Sequence, residues 1–171
     1  MMVLGVAGWS GAGKTTLVRR LIPRLGEHGL AVSTIKHAHH AFDIDQPGRD
    51  SHTHRLAGAR QVLVSSSRRW ALVHENRGDP EPGLAELLAR LDPVDVVLVE
   101  GFKRGSHDKL EVYRAANGKP LLYPDDPQVC AIASDVPLPQ SGRPVFSLDD
   151  IDAIAGFVVA RARAFRPCRA L

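Results

Sequence analysis

Short apolar runs alternate along this chain with segments whose apolar residues recur at helical spacing. The runs have the length and the β-branched composition of strands. They are residues 3–8, 31–37, 61–66, 69–75, 94–101, 109–115, 128–134 and 144–147. The helical segments are residues 14–29, 81–92 and 148–165. This alternation predicts an α/β fold in which a mostly parallel sheet is flanked by helices.

Three details refine the predicted elements. The run at 94–101 is the most apolar, so we expect it inside the sheet. The runs at 61–66 and 69–75 are close enough in sequence to pair with each other. Pro23 interrupts the first helical segment and predicts a kink there.

The composition is ordinary for a globular protein, with 44% hydrophobic and 24% charged residues. We expect a single domain over residues 1–171, with residues 166–171 as a flexible tail. No apolar run approaches the ~20 residues of a membrane helix, and two lone cysteines fit a reducing cytoplasm. The net charge of +3 favours anionic ligands, whereas the scarcity of aromatic residues and of basic tracts argues against nucleic-acid binding.

The sequence GWSGAGKT at 8–15 matches the phosphate-loop pattern G-x-x-x-x-G-K-[ST] in the required place, between a predicted strand and a predicted helix. Its glycines allow successive backbone N–H groups to face a phosphate, and the helix N-terminus adds its positive dipole end. Lys14 would bridge the β- and γ-phosphates and is a candidate catalytic residue. The residues predicted to bind a nucleotide here are Ser10, Gly11, Ala12, Gly13, Lys14, Thr15 and Thr16.

A bound nucleoside triphosphate brings Mg²⁺, and the Thr15 hydroxyl is a suitable ligand. Glu100 ends the run at 94–101 and is the predicted acidic partner of the metal. It would act through a metal-bound water or orient the attacking water, which makes it the second candidate catalytic residue. Asp95 lies at the opposite end of that run and is expected to be too far away.

No N-K-x-D or T-K-x-D sequence marks a guanine-reading residue. Asp135 follows the run at 128–134 and is a candidate for binding the ring nitrogens of guanine. A turn or helix-capping aspartate explains it equally well.

Residues 34–55, TIKHAHHAFDIDQPGRDSHTHR, hold five of the eight histidines together with Asp43, Asp45 and Asp50. Three interpretations stay open: a zinc or nickel site, a set of solvated loop histidines, and a loop facing the phosphates or an acceptor. We favour the third, because the segment leaves the C-terminal end of a strand beside the phosphate loop, where open α/β sheets place ligands. Asp43 and Asp50 are then candidate Mg²⁺ ligands.

The phosphate loop, TIKHAHH, DIDQPGRDS, AGA and LVEGFK occur in an order that resembles the molybdopterin-guanine dinucleotide biosynthesis protein B (MobB) family over residues 2–165. The resemblance implies a homodimer that binds GTP and Mg²⁺ and hydrolyses GTP weakly. It also implies an accessory role for a guanylyltransferase that joins GMP to molybdopterin. The family segment it assigns, with possible contacts to the pterin or the partner, includes Lys36, His37, His39, His40, Asp50 and Lys103.

Three other functions would use the same phosphate loop. A metal-insertion GTPase for nickel enzymes would account for the histidines. A small-molecule kinase would prefer ATP and phosphorylate an acceptor, and a non-catalytic adaptor would bind GTP without turnover.

Overall fold

The computed structural model describes residues 1–38 and 42–165, and at Phe165 only the backbone. The strands of the described chain are β1 (Met2–Ala7), β2 (Val32–Lys36), β3 (Gln61–Ser65), β4 (Trp70–His74), β5 (Val96–Glu100), β6 (Lys109–Tyr113), β7 (Val129–Ser134) and β8 (Val145–Ser147). The helices are α1 (Lys14–Glu27), α2 (Asp50–Leu56), α3 (Leu84–Leu88) and α4 (Ile151–Phe165), with a 3-10 turn at Ala115–Asn117. These elements form two compact units, one of residues 1–37 and the described residues from 87 onward, the other of the described residues between 38 and 86.

A six-stranded sheet forms the first unit, in the order β2-β5-β1-β6-β7-β8. Every pairing in it is parallel, as the alternation of strands and helices predicts. β5 lies inside the sheet between β2 and β1, and Val96–Val99 are fully buried. Because the strands are parallel, their carboxyl ends meet at one edge, where α/β folds bind their ligands.

Two helices pack against each other on one face of this sheet. α1 buries Leu17, Leu21 and Leu25 in a core that also contains Ile154 and Val158 of α4. α1 continues through Pro23 to Glu27. None of the described helices is long and apolar enough to cross a membrane.

On the other face of the sheet loops cover β6, and two buried charged side chains of this strand hold them. Side chains alternate between the faces of a strand, so Lys109 and Glu111 of β6 point away from the apolar core that contains Leu110 and Val112. The Glu111 carboxylate accepts hydrogen bonds from the backbone N–H groups of residues 122 and 123, at 2.7 and 3.0 Å. Lys109 Nζ donates to a backbone carbonyl at 2.6 Å and pairs with Asp126 at 3.0 Å. Buried backbone N–H and C=O groups need hydrogen-bond partners. A helix supplies them within itself, whereas these loops obtain them from the side chains of Lys109 and Glu111.

Two helices begin later than predicted. The helix predicted over 81–92 spans only Leu84–Leu88, and Pro82 and Gly83 account for its late start because they are poor helix residues. α4 begins three residues later than predicted, at Ile151. The Asp150 carboxylate accepts a hydrogen bond from the N–H of Ala153 at 3.0 Å and so caps this helix.

The second unit contains the antiparallel hairpin of β3 and β4, whose pairing the sequence predicts. α2 precedes the hairpin. Arg55 of α2 pairs with Asp43 at 2.6 Å, Glu75 at 3.0 Å and Asp45 at 3.5 Å. This ion-pair network connects the polar segment before α2 to the end of the hairpin within the unit.

Candidate nucleotide site

The phosphate loop connects the end of β1 to the start of α1, and its glycines are required by geometry. Gly8 has a φ of 144°, and a Cβ there would lie 2.4 Å from the carbonyl oxygen of Val112. Gly13 caps α1 with a φ of 101°, in the left-handed region that glycine adopts without strain. A larger side chain at either position would distort the loop.

Lys14 lies back across this loop and faces two other lysines. Its Nζ donates to the carbonyl oxygens of Gly8 at 3.0 Å and Trp9 at 2.9 Å. Burial lowers the pKa of Lys14, and the positive charges of Lys103 and Lys36 lower it further. The positive charges of these lysines repel one another at the loop, and an anionic ligand bound there would reduce this repulsion.

Thr15 and Glu100, predicted to serve the same metal, are in direct contact. The Thr15 hydroxyl lies 2.9 and 3.1 Å from the two carboxylate oxygens of Glu100. Glu100 is opposite Val6 in the β1–β5 register, which brings the end of β5 beside the loop. Asp95, at the other end of β5, accepts a hydrogen bond from the N–H of Ala31 at 2.8 Å.

Lys36 and His37 adjoin Glu100 on its other side. The His37 N–H donates to the Glu100 carbonyl oxygen at 2.8 Å, and Lys36 Nζ is 3.9 Å from the Glu100 carboxylate. The His37 ring lies 4.8 Å from the ring of Phe102. Gly101 permits this approach, because a Cβ there would lie 2.6 Å from Cβ of His37.

Two residues beside the loop were not predicted from the sequence. Asn117 Nδ2 donates to the carbonyl oxygen of Ser10 at 3.2 Å. A guanidinium nitrogen of Arg114 lies 3.7 Å from the position of a Cβ on Gly13. The polar residues at and just after the end of the predicted strand 109–115 were the available signal, since strand ends at this edge adjoin the loop.

Asp135 contacts Arg114 and Ala115 near the loop and also lines an open cleft. Its carboxylate accepts a hydrogen bond from the N–H of Ala115 at 2.9 Å and pairs with Arg114 at 3.9 Å. The cleft has a volume of about 650 Å³ and is lined by residues 134–139, 141–143 and 145–147. Asp135 thus lies where a group beyond the phosphates could be read.

Two further predicted residues, Asp43 and Asp50, belong to the second unit. There Asp43 is engaged by Arg55 and by the N–H of Asp45. The Asp45 N–H and then Arg55 lower the pKa of Asp43. His39 and His40 lie outside the described residues, and the described part of the chain shows no cluster of three possible metal ligands. The metal-binding role of Asp43 stays a prediction.

Comparison with known proteins finds one matching family model and several close relatives. The family model "Molybdopterin guanine dinucleotide synthesis protein B" matches residues 3–135. The molybdopterin-guanine dinucleotide biosynthesis adapter protein of Escherichia coli (strain K12) is 42% identical over 160 residues, 92% of this chain and 91% of that protein. The protein of that name from Haemophilus influenzae is 39% identical over 159 residues, 91% of this chain and 86% of the relative.

Solved structures agree with this assignment. A crystal structure of molybdopterin-guanine biosynthesis protein B matches with a TM-score of 0.75 and 26% identity, covering 94% of this chain and 99% of that chain. The parallel sheet and this match confirm the predicted α/β fold, and the phosphate loop makes it the fold of a P-loop NTPase. The chain belongs to the molybdopterin-guanine dinucleotide biosynthesis protein B family.

Proposed function

We propose that this protein binds GTP with Mg²⁺ on the phosphate loop and assists a guanylyltransferase that converts molybdopterin to its guanine dinucleotide form. The contact of Thr15 with Glu100, beside Lys14, is the observation that carries the proposal. The relatives are named as adapter proteins of molybdopterin-guanine dinucleotide biosynthesis. That name supports the accessory role.

The contact between Thr15 and Glu100 fits Mg²⁺. A hydroxyl and a carboxylate are the oxygen ligands this ion prefers, and phosphate oxygens and water would complete its shell. The ion would supply positive charge to the phosphates. Thr15 would bind it, and Glu100 would hold it directly or through a water.

The charges around the loop support a polyphosphate ligand. Lys36 and Lys103 are close enough to Lys14 to lower its pKa, and Glu100 is the carboxylate that acts against them. The backbone N–H groups of residues 10–16 would bind the phosphates. Arg114 lies against the loop but is paired with Asp135. Phosphoryl transfer requires added positive charge at the transition state, so we propose slow intrinsic hydrolysis.

The cleft beside Asp135 is the proposed position of the base. Guanine presents adjacent N–H donors on one edge, which a carboxylate accepts. Adenine presents no such pair, so a role for Asp135 predicts a preference for GTP. An ATP preference would favour the small-molecule kinase instead.

The hairpin of the second unit supports a homodimer. Leu63, Trp70 and Leu72 lie on one face of the hairpin by register, and their exposed fractions are 61%, 61% and 42%. Isolated two-stranded sheets are marginally stable in water, and apolar faces of this kind mark protein interfaces. We propose that the second copy of the chain covers this face.

Nucleotide titration tests the binding proposal. GTP and ATP are titrated by calorimetry, with Mg²⁺ and with a chelator, against wild type, Lys14→Ala and Glu100→Gln. We expect GTP affinity to fall about 10- to 100-fold in Lys14→Ala, because charged hydrogen bonds to phosphate are lost. Glu100→Gln should weaken binding only when Mg²⁺ is present.

Lys119→Ala is the control, because Lys119 is an exposed lysine outside the loop. It should bind GTP like the wild type. Equal GTP affinity in Lys14→Ala and wild type would refute the phosphate-loop assignment.

A further inference from the structure

A second cavity opens beside the phosphate loop on the loop-covered face of the sheet. Its volume is about 450 Å³, within the range of small-molecule sites. Trp9 of the phosphate loop forms one wall, and Lys103, Arg104, Pro120 and Asp125 are among the residues that line the rest. All of these residues belong to the first unit. Neither the phosphate contacts nor the cleft at Asp135 uses this cavity.

The indole ring of Trp9 is fixed by a hydrogen bond and has a lysine ammonium group over it. The Trp9 indole Nε1 donates a hydrogen bond to the carbonyl oxygen of Pro120 at 2.7 Å. Lys103 Nζ lies 5.0 Å from the centroid of the indole ring, within the range of a cation–π contact. A fixed indole can stack on a flat ring system without losing much conformational entropy.

The charged groups of the cavity divide into a basic and an acidic side. Lys103 and the exposed Arg104 form the basic side. On the acidic side, Asp126 is paired with the buried Lys109 at 3.0 Å, whereas Asp125 is exposed at the wall. The cavity therefore offers cations for an anionic group and a carboxylate for N–H donors.

We propose that this cavity binds a planar, bicyclic heteroaromatic molecule that carries a phosphate, of the pterin phosphate class. Lys103 Nζ moves from the indole ring to the phosphate, which Arg104 also contacts. The ring system then stacks on the uncovered face of Trp9, and its amino-oxo edge donates to Asp125. Guanidinium and ammonium groups bind phosphate through charge-assisted hydrogen bonds. The identification with the pterin substrate rests on the proposed function. It gives Trp9 of the phosphate loop, and Lys103 beside Lys14, a second role in the pterin site.

Calorimetry with a defined probe tests this site. The probe is 6-hydroxymethylpterin phosphate, titrated against wild type, Lys103→Ala, Asp125→Asn and Lys119→Ala. We expect Lys103→Ala to weaken binding about tenfold or more and Asp125→Asn to weaken it measurably. Lys119→Ala removes a nearby lysine that does not line the cavity, and it should match the wild type.

Removing the phosphate from the probe identifies the contact. Wild type should bind 6-hydroxymethylpterin about tenfold more weakly than the phosphorylated probe, and this difference should be smaller in Lys103→Ala, which keeps only Arg104 for the phosphate. Inorganic phosphate alone should not displace the phosphorylated probe at equal concentration. Thermal unfolding of each variant verifies that it is folded.

Three results would overturn the inference: no probe binding to wild type, equal losses in Lys103→Ala and Lys119→Ala, or displacement of the probe by GMP. Displacement by GMP would assign the cavity to the nucleotide. GTP is titrated separately, so the two proposals can fail independently. GTP binding without probe binding refutes only the pterin cavity, and probe binding without GTP binding refutes only the nucleotide proposal.

Discussion

Gly5 of β1 leaves space for a side chain that packs on the sheet, the imidazole of His107. A Cβ on Gly5 would lie 2.6 Å from Nε2 of His107, and a Cβ on Gly105 would lie 2.6 Å from its Nδ1. The imidazole is thus packed between two glycines, and neither ring nitrogen has a hydrogen-bond partner among the described residues. Burial lowers the pKa of His107, which favours the neutral ring at neutral pH.

We predict that Gly5→Ala destabilises the protein by about 1–3 kcal/mol, because the new methyl group overpacks this site. The free energy of unfolding in urea measures the effect. The cost should shrink in a His107→Ala background, which provides space for the methyl group. Gly26→Ala is the control, since nothing lies within 4 Å of a Cβ at this helical position. It should stabilise by up to about 1 kcal/mol, and an equal response at both glycines would contradict the packing argument.

Site residues can be predicted from the sequence when a short motif or a strand end defines them. They cannot when their role depends on contacts distant in sequence. Lys14, Thr15 and Glu100 follow from a short motif and from one strand end, so the sequence locates them. Trp9 and Asn117 contact groups 111 and 107 residues away in sequence. Such contacts depend on the paths of loops, which hydrophobic periodicity does not describe.

Among the elements, the parallel strands do most to position the site. The register sets Glu100 opposite Val6 on one side and Lys36 on the other. Apolar runs predict these strands well, because burial on both faces demands them. The same reasoning fails for the loop-covered face, where β6 carries Lys109 and Glu111 at buried positions. A lysine or glutamate within a strand pattern reads as an exposed residue. The sequence does not show that its side chain is buried and bonded to the backbone of a loop.

Glu111 gives this loop layer a pH dependence. Burial raises the pKa of Glu111 above its ordinary value of about 4.5, so the folded protein keeps this proton to a higher pH than the unfolded chain. The stability it contributes is complete below about pH 4.5 and is lost as the pH rises through the raised pKa.

We therefore predict that wild type loses stability relative to Glu111→Gln as the pH rises from about 4.5 through the raised pKa of Glu111. Glutamine stays uncharged, so the variant lacks this titration. Urea unfolding of both proteins at several pH values measures the difference. A difference in unfolding free energy that does not change with pH would contradict the assignment.

At the scale of the whole molecule, the phosphate loop belongs to one compact unit and the hairpin to the other. The single domain expected from the sequence stays a prediction. The second unit has its own ion-pair network around Arg55. The sequence marked this region as a long polar segment followed by a hairpin. It did not show that one face of the hairpin is apolar and exposed, because alternation alone does not reveal which face is covered.

We predict that Leu63→Glu and Trp70→Glu convert a dimer to monomers, because each would bury a charge at the proposed interface. Sedimentation equilibrium measures the mass. Ile22→Glu is the control, since Ile22 is an exposed apolar residue on α1 of the first unit. A dimer that persists in both hairpin variants, or a monomeric wild type, would contradict the proposed interface.

Reconstitution of dinucleotide synthesis tests the central claim most directly. Molybdopterin, GTP, Mg²⁺ and the guanylyltransferase are combined with wild-type protein, with Lys14→Ala or with neither, and the guanine dinucleotide formed is quantified over time. We predict that wild type raises the rate or the yield and that Lys14→Ala does not. Equal product formation with and without the protein would contradict the proposed accessory role.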